Sequence, residues 1–204
     1  MLANLYSGAL IGIDAYPVEV EVDVSQGMPQ FATVGLPEGA VKESKDRVKS
    51  AIKNSGFDFP VRRITVNLSP ADLPKEGSHF DLPIALAVLA ALEIIPGDAV
   101  EGTTALGELS LDGTLVPVIG ALPAAMAAAE ENRMLLCPHA SGAEAAWVGA
   151  TRVIGAGTLA EVVRHYTGQA LLPCAEPGEV SAAPFDRDLH DVKGQERAKR
   201  ALEI

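Results

Sequence analysis

Cysteine is nearly absent: Cys137 and Cys174 are the only two, they form no CxxC pair, and the four histidines are scattered. That count argues against a disulfide framework and against a structural zinc site. Long apolar runs are also lacking. The most apolar stretch, Leu82–Ile95, is shorter than the roughly 20 residues a bilayer span requires. The opening segment, MLANLYSGALIGIDAYP, has no basic leader and is interrupted by Asp14, so it reads as a strand and not as a secretory signal. No targeting or membrane segment is left, and a cytoplasmic location is expected. Positive charge is scarce. The 16 Lys and Arg residues against 27 Asp and Glu leave a net charge of −11. This argues against a stand-alone nucleic-acid-binding protein, because neutralising phosphates takes clustered Lys and Arg. Lysine is missing altogether between Glu76 and Val192, and no Gly-Lys pair occurs anywhere. Without that pair a P-loop cannot form, since its glycine backbone and its lysine together cradle the phosphates.

What is present suits one core-forming domain with an appendage: 204 residues, 48% of them apolar. Val18, Val20, Val22 and Val24 alternate with Glu19, Glu21 and Asp23, the period of a strand with one buried face. A turn at Gln26-Gly27 leads to a second strand over Gln30–Leu36. The period then becomes helical over Glu38–Ser55, and Gly56 stops it. Val61–Leu68 reads as a strand. Asp81 to Ile95 reads as a helix that is apolar all round, hence buried, with Asp81 as N-cap and Pro83 in its first turn. Asp112-Gly113 between Thr104–Leu111 and Thr114–Val118 signals a hairpin. An Ala-rich helix follows over Leu122–Glu131. Then come a strand (Met134–Cys137), a helix (Ala143–Val148), a short strand (Arg152–Ile154) and a helix (Thr158–Tyr166). The expected class is α+β, a mixed sheet with packed helices. Residues 1–170 form the expected domain. Residues 171–190, rich in Pro, Ala and acid, read as a linker, mobile or extended from about Pro173 to Asp188. Residues 191–204 begin a basic amphipathic helix with no closing cap, so a longer natural chain is expected.

Basic residues concentrate in one place. Lys42–Arg63 holds seven of them against three acidic residues. Lys42, Lys45, Lys49 and Lys53 share one helical face by their spacing, and Arg62 and Arg63 follow. A solvated helix face is one reading. A contact for DNA, or for an acidic neighbouring subunit presenting Glu19, Glu21 and Asp23, is the other. Ser78-His79 suggests a nucleophile and its base, but chain neighbours rarely meet in that geometry. A loop serine and a solvated or capping histidine are expected instead. His139, His165 and His190 read as surface residues, and Asp72 and Asp81 as helix caps or partners of Lys75.

Three segments carry a family resemblance: VGLPEGAVKESKDRVKSAIKN (Val34–Asn54), ITVNLSPADLPKEGSHFDL (Ile64–Leu82) and DVKGQERAKRAL (Asp191–Leu202). Together they resemble the ComM/YifB family, also called magnesium-chelatase-related. The resemblance implies a ribosomal-protein-S5-like fold of the Lon protease type, followed by an AAA+ ATPase domain using ATP and magnesium. It also implies a homo-hexameric motor acting on branched DNA in recombination or natural transformation. The loop Pro74–Asp81 is similar to the Lon nucleophile loop, with His79 at the serine position and Ser78 one place early. The position of the Lon lysine falls on Leu122 or Pro123. A Ser-Lys dyad needs a desolvated amine beside the hydroxyl, and the lysine-free stretch withholds it. Val192 and Gly194 match the segment that lies against adenine in AAA+ domains. Alternatives are an active Lon-type peptidase, a magnesium chelatase ATPase subunit, or a module serving assembly alone.

Overall fold

A computed structural model describes residues 1–179 and 188–202. Strands β1 (Leu2–Ile11) and β2 (Asp14–Ser25) form a hairpin. The alternation read in β2 decides its orientation. Val18, Val20, Val22 and Val24 are buried, while Glu19, Glu21 and Asp23 lie partly exposed on the other face. There Asn4 and Asn67 donate side-chain hydrogen bonds to Glu19 (3.0 Å) and Glu21 (2.6 Å). Strand β4 (Arg63–Ser69) pairs antiparallel with β2, matching Val20 to Leu68, Val22 to Val66 and Val24 to Ile64. Strand β3 (Gln30–Val34) adds parallel to β4 as the edge.

On the other side of the hairpin three strands join in parallel. They are β5 (Thr103–Ala105), β8 (Met134–Pro138) and β9 (Val153–Ala156), giving the order β3-β4-β2-β1-β5-β8-β9. Strands β6 (Glu108–Leu109) and β7 (Leu115–Val116) make the separate hairpin around Asp112-Gly113. It is shorter than expected for a physical reason. The backbone between β5 and β6 is engaged elsewhere: Leu106 N–H donates to Leu136, Gly107 N–H to His79, and Gly107 accepts from Leu82.

Helices cover both faces. Helix α1 (Gly39–Asn54) and helix α2 (Asp81–Ala91) share the larger core with the valine face of β2. All eleven residues of α2 are buried, as its unbroken apolarity requires. The helix stops at Ala91 and not at Ile95, because Glu93 turns left-handed (φ 59°) and Ile94 N–H closes back on Leu89. Helix α3 (Ala121–Glu130) and helix α4 (His139–Ala145) bury a second cluster on the opposite face. Strand β8 shows the split: Leu136 enters the first core, Leu135 and Cys137 the second. Helix α5 (Leu159–Tyr166) starts at its N-cap Thr158, which accepts from Glu161 N–H at 3.2 Å.

The segment read as linker begins docked. Ala175 N–H donates to Val153, and Gly178 N–H to Ala143. The remainder of the stretch expected to be mobile or extended, residues 180–187, lies outside the described residues. Helix α6 (Glu196–Leu202) has no buried residue. Lys199 braces it, paired with Glu196 at 2.8 Å and donating to the Val192 carbonyl at 3.2 Å. Among the described residues no helix is long and apolar enough to cross a membrane.

Candidate functional site

The loop that resembles a nucleophile loop is built into the core. A 3-10 turn, Ser78–Phe80, delivers the chain into α2. Ser78 Oγ donates to a carboxylate oxygen of Glu108 on β6. A carboxylate is far too weak a base to free an alkoxide, and no lysine shares the contact. Lys75, the nearest amine in sequence, is fully buried and donates to the carbonyl of Pro70. Burial lowers its pKa, and Asp72 opposes that shift. Leu122 and Pro123, where a catalytic lysine is expected, sit in the first turn of α3.

His79 corrects the expectation of a solvated or capping residue. It is buried against Phe80, with ring centroids 4.4 Å apart, and its Nε2 bonds the Gly8 carbonyl at 2.9 Å. Desolvation lowers its pKa, so the ring is neutral and serves as a tie between β1 and α2. Serine and histidine make no hydrogen bond to each other. His139 and His190 are exposed as expected, whereas His165 is half-buried and accepts from Leu172 N–H at 3.0 Å. Cys137 and Cys174 are both free, and burial pushes the Cys137 thiol up to about 12.

Asp81 is a second correction. It is fully buried but makes no N-cap bond. Instead it receives the Arg47 guanidinium as a fork, Nε to Oδ2 at 2.6 Å and Nη2 to Oδ1 at 3.0 Å, with Leu109 N–H at 3.2 Å. Burial pushes its pKa up to about 6 against the pull of Arg47, whose own pKa the hydrogen bond to Asp81 raises. The residues lie 34 apart in sequence, and local patterning gave no sign of the pair. The cleft above this loop, about 450 Å³, is lined by Leu10, Glu76, Ser78, Glu108, Val118 and Ile119. It holds an anionic rim and a serine without a competent base. Incubation with an unfolded protein substrate should give no cleavage. Cleavage abolished by Ser78→Ala would show that the site is live.

The basic cluster is divided by the fold. Lys42, Lys45, Lys49 and Lys53 are all exposed on α1, as their spacing implies. Lys45, Lys49 and Lys53 line a groove of about 320 Å³ with Arg62, and Asp46 is its acidic member. Its far wall comes from Phe31 on β3 and from Phe59 and Pro60 before β4. The two phenyl rings stack at 6.4 Å with 23° between planes. Lys42 and Arg63 are exposed but stand outside this groove. The aromatic wall was not foreseen, because a helix face says nothing about which edge strand lies opposite. Phe31 in a strand and the FDFPVRR run were its only signals.

Val192 and Gly194 are exposed. Among the described residues no group of three or more His, Cys, Asp or Glu side chains is placed to hold a metal ion.

Residues 20–141, from β2 through the basic helix and the nucleophile-like loop to the start of α4, match the family model for subunit ChlI of Mg-chelatase. Competence protein ComM of Haemophilus influenzae is 45% identical over 208 aligned positions, covering 100% of this chain and 41% of that protein. The chain belongs to the ComM/YifB family. The uncharacterized protein YifB of Escherichia coli is 40% identical, over 100% of this chain and 40% of its own length. YifB of Salmonella typhimurium is 41% identical with the same coverage. The chain thus spans about two fifths of the length of these ComM/YifB relatives.

Proposed function

We propose that this chain is the non-catalytic amino-terminal domain of a cytoplasmic ring ATPase of the ComM/YifB type. Residues 1–170 take the S5-like fold of the Lon protease, residues 171–190 link, and residues 191–204 open the AAA+ domain. The full protein assembles as a hexamer, hydrolyses ATP with magnesium, and moves branched DNA in recombination or transformation. The observation that carries this reading is a collinear match to ComM/YifB proteins across the whole chain, combined with a nucleophile loop whose serine is tied to Glu108. A relative named for competence supports the DNA substrate. The second reading, a chelatase ATPase subunit, draws on the match to subunit ChlI of Mg-chelatase alone. The chelatase and DNA readings separate experimentally. Full-length protein should hydrolyse ATP and process a four-way DNA junction. Removing residues 1–170 should leave hydrolysis measurable but slow junction processing about tenfold. Hydrolysis stimulated by a porphyrin and indifferent to any DNA would point to the chelatase reading.

A further inference from the structure

The groove beside α1 is more than a charged helix face. Lys45, Lys49 and Lys53 recur every four residues, so their stems are about 6 Å apart along the helix. That rise is comparable with the stretch of one extended nucleotide. Arg62 stands at the opposite bank. The same wall carries Phe31 and Phe59, near-parallel and only partly buried. A duplex keeps its bases stacked inside and rides over so small a concavity. An unpaired strand turns its bases outward, and any base has a π-face that an aromatic ring accepts. Outside this groove and the basic tail the acidic balance disfavours phosphate, as at Glu19, Glu21 and Asp23 on the other face of the sheet.

We propose that this groove binds single-stranded nucleic acid, with phosphates along Lys45, Lys49, Lys53 and Arg62 and a base against the Phe31–Phe59 pair. The inference rests on the DNA-acting reading above for its biological occupant, and it adds the strand form and the contact residues. Binding by stacking and phosphate contacts is largely independent of sequence, because every base offers a π-face. It is governed by salt. Three to four neutralised phosphates give a fall of about 20- to 50-fold between about 50 and 200 mM salt.

The test uses the 204-residue chain and a fluorescent thymidine oligonucleotide, alone and annealed to its complement. The single strand should bind more tightly than the duplex by anisotropy. Lys49→Glu with Lys53→Glu should weaken binding at least tenfold and flatten its salt dependence. Phe59→Ala should weaken it about tenfold with the salt slope unchanged. Phe59→Leu keeps the packing volume and should weaken it in the same direction. An oligonucleotide carrying 5-iodouracil should crosslink to Phe31 or Phe59 on irradiation, read by mass spectrometry. Equal affinity for duplex and single strand, no measurable binding of either, crosslinks only outside the groove, or an unaffected Phe59→Leu variant overturns the proposal. Self-association of the chain that the lysine changes abolish, without oligonucleotide binding, also overturns it and assigns the face to a second copy. If the groove fails while full-length protein still processes junctions, only this inference falls. If both fail, the DNA-acting reading falls with it.

Discussion

Arg47→Ala should cost about 3–5 kcal/mol of folding stability near pH 8, the usual penalty for leaving one partner of a buried ion pair alone. Arg47 reaches from α1 to the fully buried Asp81 at the head of α2, and it also donates to the Ala40 carbonyl at 2.8 Å. The loss therefore unpins two helices from each other. The pH dependence follows from the raised carboxyl. In the folded protein Asp81 titrates near 6, above its unfolded value. A raised group contributes most below the unfolded pKa and loses its contribution as pH climbs through the folded one. Without Arg47 the folded pKa rises further. The variant should therefore be least impaired near pH 5, where the carboxyl is protonated, and most impaired near pH 8. Urea midpoints at the two pH values measure this. A deficit below about 1 kcal/mol at pH 8 would mean the pair contributes little. Replacing both partners with apolar residues, Arg47→Met with Asp81→Leu, should recover much of the loss.

Gly35→Ala should be nearly as damaging. Gly35 follows β3 with φ +93°, and a Cβ there would sit 2.0 Å from the Leu68 carbonyl oxygen and 2.9 Å from its nitrogen. Those atoms are backbone in β4, held on one side by pairing with Val20. The methyl group must push the end of β3 off the sheet. Overpacking plus left-handed strain amounts to about 3 kcal/mol or more. For a chain of this size that lowers Tm by roughly 6–12 °C. Gly56→Ala is the control. Its φ is +89°, but nothing lies within 4 Å of the added carbon, so about 1–2 kcal/mol of strain is the whole effect. Equal losses in the two variants would show that the close approach to Leu68 does not matter. Since β3 also carries Phe31, Gly35→Ala should weaken oligonucleotide binding as well.

Local periodicity made much of this fold legible. The Val/Glu alternation of β2, the all-apolar α2 and the Asp112-Gly113 turn each depend on neighbours within a few residues. Partners distant in sequence were not legible. Arg47 meets Asp81, His79 meets Gly8 and the basic helix meets Phe31 and Phe59, all through tertiary contact. The helix pattern also overran at Ile95, because a glutamate and not a glycine takes the left-handed cap. At the nucleophile-like loop, the missing lysine was readable from composition alone. That Ser78 is bonded to Glu108, and that Lys75 is buried under Pro70, required coordinates.

In the function proposed above, this domain lends a full-length ATPase its grip on DNA and performs no chemistry itself. The most direct measurement is ATP hydrolysis by full-length protein with and without DNA, before and after changing Lys42, Lys45, Lys49 and Lys53 to glutamate. DNA should stimulate the parent protein, and the ratio of stimulated to unstimulated hydrolysis should fall to about one in the variant, with steep salt dependence in the parent alone. Undiminished stimulation, together with unchanged DNA affinity, would contradict it and leave these lysines as a solvated helix face.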